Sequence, residues 1–184
     1  MEYKIYQSNL IKSNFEDFVN TSYFYHKKFT QMFKEINNDS TWAYQLYNIF
    51  CLSSTHILWY KLYKELNYHI RSFIGDNRPI YMQAWLNFHS ADEVLKKHDH
   101  DQIFHGYISI DPKDTTTVFN KFEIKNQIGQ IYIGPGGKDY SHYVRIDKPY
   151  DGKRITIGFD LVLSDNKDLN SQSSTNNLGL IPLI

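Results

Sequence analysis

The sequence predicts an α+β domain, with helices in its first two-fifths and an antiparallel jelly-roll sandwich in the remainder. Three observations carry this. Apolar residues recur at three- and four-residue spacing as far as about residue 74, and from the turn cluster Gly75-Asp76-Asn77-Arg78-Pro79 onward the pattern changes. Short runs rich in Ile, Val, Tyr, Phe and Thr then alternate with Gly, Pro, Asn and Asp. No helical stretch separates those runs, so they read as hairpins and not as parallel crossover units.

The elements follow in order. From 13 to about 37, Phe15, Phe18, Val19, Phe29, Met32, Phe33 and Ile36 form an amphipathic stripe, with Ser13 and Glu16 as a capping box. A second helical pattern runs from 41 toward 51, and a third from about 56 to 74. In the third, Leu58, Leu62, Leu66, Ile70 and Phe73 share one face and Gly75 takes the helix-ending position. Strands are predicted at 80–88, 94–100, 104–110, 115–119, 122–125, 130–134, 141–146 and 154–163. Residues 164–177 form a polar tail, whereas 178–184 are apolar enough to dock. The 184 residues fit one domain: a helical layer over 1–75, a β core over 76–165 and a tail over 166–184.

Composition excludes several classes. Lys and Arg number 20 and Asp and Glu 20, for zero net charge, so no long-range attraction to phosphate backbones is expected and a nucleic-acid partner is disfavoured. Cys51 is the only cysteine, which excludes an intrachain disulfide framework and a multi-cysteine zinc site; a reducing, cytoplasmic setting is the expectation. The start Met1-Glu2-Tyr3-Lys4 lacks an export pattern, and there is no apolar run of roughly 18 residues, so no membrane association is expected.

Eight histidines are spread along the chain, and His26, His56 and His69 on helices suit ordinary structural roles. The informative cluster is Lys96-Lys97-His98-Asp99-His100-Asp101 at a strand end. Side chains two apart on a strand share a face, so His98 and His100 can converge on a divalent transition metal inside a barrel. A solvated, charged strand end is the alternative. A further histidine, His142, lies in Ser141-His142-Tyr143-Val144-Arg145, just after the loop Gly134-Pro135-Gly136-Gly137. That loop lacks the context and the Lys-Ser/Thr ending of a phosphate loop and reads as a tight turn. Arg154 opens an otherwise apolar strand with Thr156 on its own face, an arrangement that can grip a carboxylate; pairing with a neighbouring Asp is the alternative.

The order Trp85-x-Asn87, His98-x-His100, His105-Gly106-Tyr107, then His142 and Arg154-x-Thr156, resembles the 2-oxoglutarate and Fe(II)-dependent dioxygenases over roughly residues 80–163. The resemblance implies a double-stranded β-helix core with the N-terminal helices packed on one sheet. It implies Fe(II) held by His98 and His142, with His100 where the family usually places Asp or Glu; Asp101 replaces it only if the strand kinks. Arg154 with Thr156 would bind the distal carboxylate of the cosubstrate 2-oxoglutarate, and Asn87, Ser109 and Tyr132 could contact it. His105, where a subgroup of those dioxygenases with the W-x-N and H-x-H pattern has Ser, is expected at the pocket mouth. The implied activity is hydroxylation of a small-molecule, peptide or protein substrate. The rival reading is a cupin-like metal- or ligand-binding jelly roll without redox turnover.

Overall fold

The structure, a computed structural model, describes residues 2–32, 47–75, 77–93, 96–163 and 179–183. Strand β1 (Lys4–Gln7) is followed by helices α1 (Asn9–Ser13), α2 (Phe15–Met32), α3 (Ile49–Leu52) and α4 (Ile57–Ile74). Then come β2 (Ile80–His89), β3 (Phe104–Asp111), β4 (Thr115–Phe119), β5 (Glu123–Lys125), β6 (Gln130–Pro135), β7 (His142–Ile146), β8 (Arg154–Leu163) and β9 (Ile181–Leu183).

Helix α4 forms where expected and stops at Gly75, whose φ of 75° is left-handed and whose N–H donates to the Arg71 carbonyl. The N-terminal stripe is divided: Ser8, not Ser13, caps the first helix by accepting from the Ile11 N–H, and the chain breaks at Asn14 (φ −130°) before α2 begins. The Ser8 hydroxyl also donates to Glu65 at 2.7 Å and so ties α1 to α4. Of the pattern from 41 to 51, the described part is α3, capped by Asn48. Residues 33–37 of the first pattern, 41–46, 94–95 and the tail over 164–178 lie outside the described residues.

All strand pairs are antiparallel, in a six-stranded sheet ordered β1-β6-β3-β8-β2-β9 and a three-stranded sheet ordered β5-β4-β7. Seven of the eight expected strands form. The exception is 94–100, whose described part makes one isolated bridge, His98 to His142. Its Lys, Asp and His residues leave it no apolar face to bury, so nothing fixes it as a ladder. Two edge strands were not expected as such: β1 pairs with β6, and β9, in the apolar C-terminal stretch, pairs with β2.

The large sheet has two unlike faces, both covered. On one, Met82, Ala84, Leu86 and Phe88 of β2, Ile108 and Ile110 of β3, and Ile155, Ile157, Phe159 and Leu161 of β8 join Phe18, Trp59, Leu62, Leu66 and Ile70 of the helices in one core. The opposite face carries Gln83, Trp85, Asn87 and His89, His105, Tyr107 and Ser109, and Arg154, Thr156, Gly158 and Asp160, by strand alternation. Residues on that face are mostly buried, although alternation of this kind ordinarily marks a solvated side. The space between this polar face and the small sheet holds the candidate site. No helix among the described residues is long and apolar enough to cross a membrane.

Candidate metal centre

Main-chain hydrogen bonds hold the histidine-bearing segments. His98 and His142 exchange N–H to carbonyl bonds of 3.0 and 2.9 Å, and the Gly137 N–H donates to the His100 carbonyl at 2.7 Å. The Gly136 N–H donates to the Ile103 carbonyl, and a Cβ on Gly136 would collide with the Gln102 carbonyl oxygen. The glycine loop therefore serves close backbone approach to the segment carrying His98 and His100.

The ligand atoms of His98, His100 and His142 all lie within 4.8 Å of one another. Each Nδ1 faces an acceptor: the Lys96 carbonyl at 2.9 Å for His98, the Asp160 carboxylate at 2.7 Å for His100 and the Tyr140 carbonyl at 3.2 Å for His142. A carbonyl can only accept, so Nδ1 is the protonated nitrogen and Nε2 carries the lone pair, the tautomer a metal ligand requires. Burial holds the His142 imidazole neutral, its pKa lowered to about 3, and also lowers that of His98. Three imidazoles pre-oriented in this way fit a divalent transition ion. Asp101 lines the same cavity from its exposed side but is not among the three side chains that converge.

Arg154 is only 4% exposed, and its Nε is buried without a partner among the described residues. No ion pair to it exists among the described residues, so the expected alternative of a neighbouring Asp is not what the fold provides. Burial lowers its pKa, opposed by Tyr107 and Tyr150 nearby. Thr156 lies two residues on along the same face, and Asn87, its partner in register, reaches its hydroxyl at 3.5 Å. These three residues and the histidine trio line one cavity of about 210 Å³.

Ser109 and Tyr132 are not brought to that cavity. Ser109 pairs with Thr156 in register and is fully buried. Tyr132 stacks on Tyr107 with ring centroids 5.3 Å apart and packs against Phe119 in the core between the sheets. His105, expected at the mouth, lies in the interior at 2% exposure, its ring centroid 4.3 Å from that of His100. Sequence reasoning missed Asp160 as the partner of His100. The available signal was its even spacing from Arg154 and Thr156, which places all three on the polar face. No protein-family model and no curated protein matches this chain.

Proposed function

We propose that this chain is an Fe(II)- and 2-oxoglutarate-dependent oxygenase, and that its two sheets are the halves of a double-stranded β-helix. The supporting observation is the pairing, in one cavity, of three Nε2-presenting histidines with a buried arginine that has no carboxylate partner among the described residues. Burying a guanidinium without an anion is costly, so Arg154 marks the place of an anionic ligand. A dicarboxylate anchored there, with Thr156 donating to it, would extend past Gly158 toward the histidines; a Cβ on Gly158 would press on the Trp85 ring. His98, His100 and His142 would hold the iron, and Asp160 fixes the orientation of His100. When bound, iron and 2-oxoglutarate supply oxidative decarboxylation: with O2 and a substrate C–H they yield succinate, CO2 and the hydroxylated product. The protein's part is to seat the two groups and to exclude water behind the second sheet. Small-molecule, peptide and protein substrates all suit this reading.

The all-imidazole donor set favours a second reading, a cupin-like metal- or ligand-binding module without turnover. One experiment separates them: anaerobic titration of the apo-protein with Fe(II) and then 2-oxoglutarate, in wild type and Arg154→Ala, following the visible metal-to-ligand charge-transfer band. The oxygenase predicts a band that weakens in the variant. Metal binding with no band supports the cupin-like reading.

A further inference from the structure

His105 is the most deeply buried histidine on the polar face, and neither of its ring nitrogens has a partner among the described residues. A neutral imidazole always carries one N–H and one lone pair, and leaving both unpaired in the interior is unfavourable. The side chain lines the cavity, so a molecule bound there can meet it.

The register of the sheet says which end of that molecule. His105 pairs with Asp160, Tyr107 with Gly158 and Ser109 with Thr156. Asp160 holds His100, whereas Arg154 and Thr156 lie toward the other end of β8, so His105 stands at the metal end of the cavity. Its ring centroid is 4.3 Å from that of His100 and 5.2 Å from that of His142, yet it is not one of the three side chains whose ligand atoms converge. It therefore faces what the metal holds.

We infer that His105 donates a ring N–H to the metal-bound oxoacid end of the cosubstrate, opposite the end that Arg154 anchors. This rests on the oxygenase reading above. A hydrogen bond to an anionic oxygen in an enclosed site corresponds to about tenfold or more in affinity. The same imidazole burdens the empty protein, because its polar atoms are unpaired until the ligand arrives.

The test compares wild type, His105→Phe, which keeps an aromatic ring without nitrogen, and His105→Gln, which keeps an N–H. Three properties are measured: apo-protein melting temperature, the visible spectrum with Co(II) alone, and 2-oxoglutarate affinity from the anaerobic Fe(II) band. His105→Phe should melt no lower than wild type, give an unchanged Co(II) spectrum and bind 2-oxoglutarate at least about tenfold more weakly. His105→Gln should recover part of that affinity. Unchanged 2-oxoglutarate affinity in both variants, with a normal wild-type band, overturns the His105 inference alone. An altered Co(II) spectrum overturns it in favour of a fourth metal ligand. Absence of the band in wild type rejects the oxygenase reading and His105's role with it.

Discussion

His89 gives the most quantitative prediction, because its environment opposes protonation from several sides. It ends β2 opposite Arg154 in register, is 7% exposed, and has a buried Nδ1 without a partner among the described residues. Burial first, then the charge of Arg154, opposed by Glu93 and reinforced by the smaller effects of Lys153 and His98, lower its pKa from an ordinary 6.5 to about 4. Above pH 6.5 the imidazole is neutral folded and unfolded, so it adds nothing to the pH dependence. Between 6.5 and about 4 the unfolded chain takes up a proton that the folded chain refuses, and stability is lost as pH falls. Linkage at about 1.4 kcal/mol per pH unit makes this ~2 kcal/mol at pH 5 and ~3 kcal/mol at pH 4. The assay is urea unfolding of apo wild type and His89→Gln at pH 7.5, 5 and 4, followed by tryptophan fluorescence. The other histidines are common to both proteins, so the difference between them isolates His89. Relative to the variant, wild type should lose about 2 kcal/mol between pH 7.5 and pH 5. A difference that stays flat within about 0.5 kcal/mol would refute the reasoning.

Other perturbations address the site itself. Asp160→Ala frees His100 to rotate and should weaken Co(II) or Fe(II) binding about 10- to 100-fold by anaerobic titration, with the apo fold retained by circular dichroism. Gly136→Ala places a methyl group against the Gln102 carbonyl and should cost about 1–3 kcal/mol in urea unfolding. It should also lower metal affinity, because the strain falls on the histidine-bearing segment. Lengthening the same side chain at Gly158, as in Gly158→Val, presses on Trp85 and should reduce 2-oxoglutarate binding more than metal binding.

The core strands and α4 were legible because their side chains alternate or recur with a period that burial enforces: β4 and β8 begin and end where the sequence indicates. Edges were not. β1 and β9 are three or four residues long, and only the sheet they join makes them strands. The metal trio was readable from His-x-His and a later His, but not for the geometric reason first available. His98 and His100 do not share a strand face; a bridge to β7 and the bonds from the glycine loop bring them together. Ser109 and Tyr132 lie on the expected inward face, yet inward is coarser than cavity-lining, since packing behind Tyr107 uses the same face. Strand alternation put Asp160 on the face of Arg154 and Thr156, but its pairing with His100 and the interior place of His105 needed the cross-strand register, which no single-strand pattern contains.

The backbone clamp between the histidine segment, β7 and the glycine loop has a consequence for metal supply. Because main-chain hydrogen bonds between protein segments position the three imidazoles, loading of an ion would need no folding step, and its withdrawal would leave the receptacle standing. A rigid nitrogen receptacle has little means of refusing a competitor, and intrinsic affinity at such sites rises from iron toward copper. On the proposed metal-binding role, what occupies it would be decided by which ion the surroundings offer, and protein made where zinc, nickel or copper is plentiful would carry them in place of the proposed iron. On the oxygenase reading proposed above, its working fraction would then follow the metal economy of its surroundings rather than the amount of protein made.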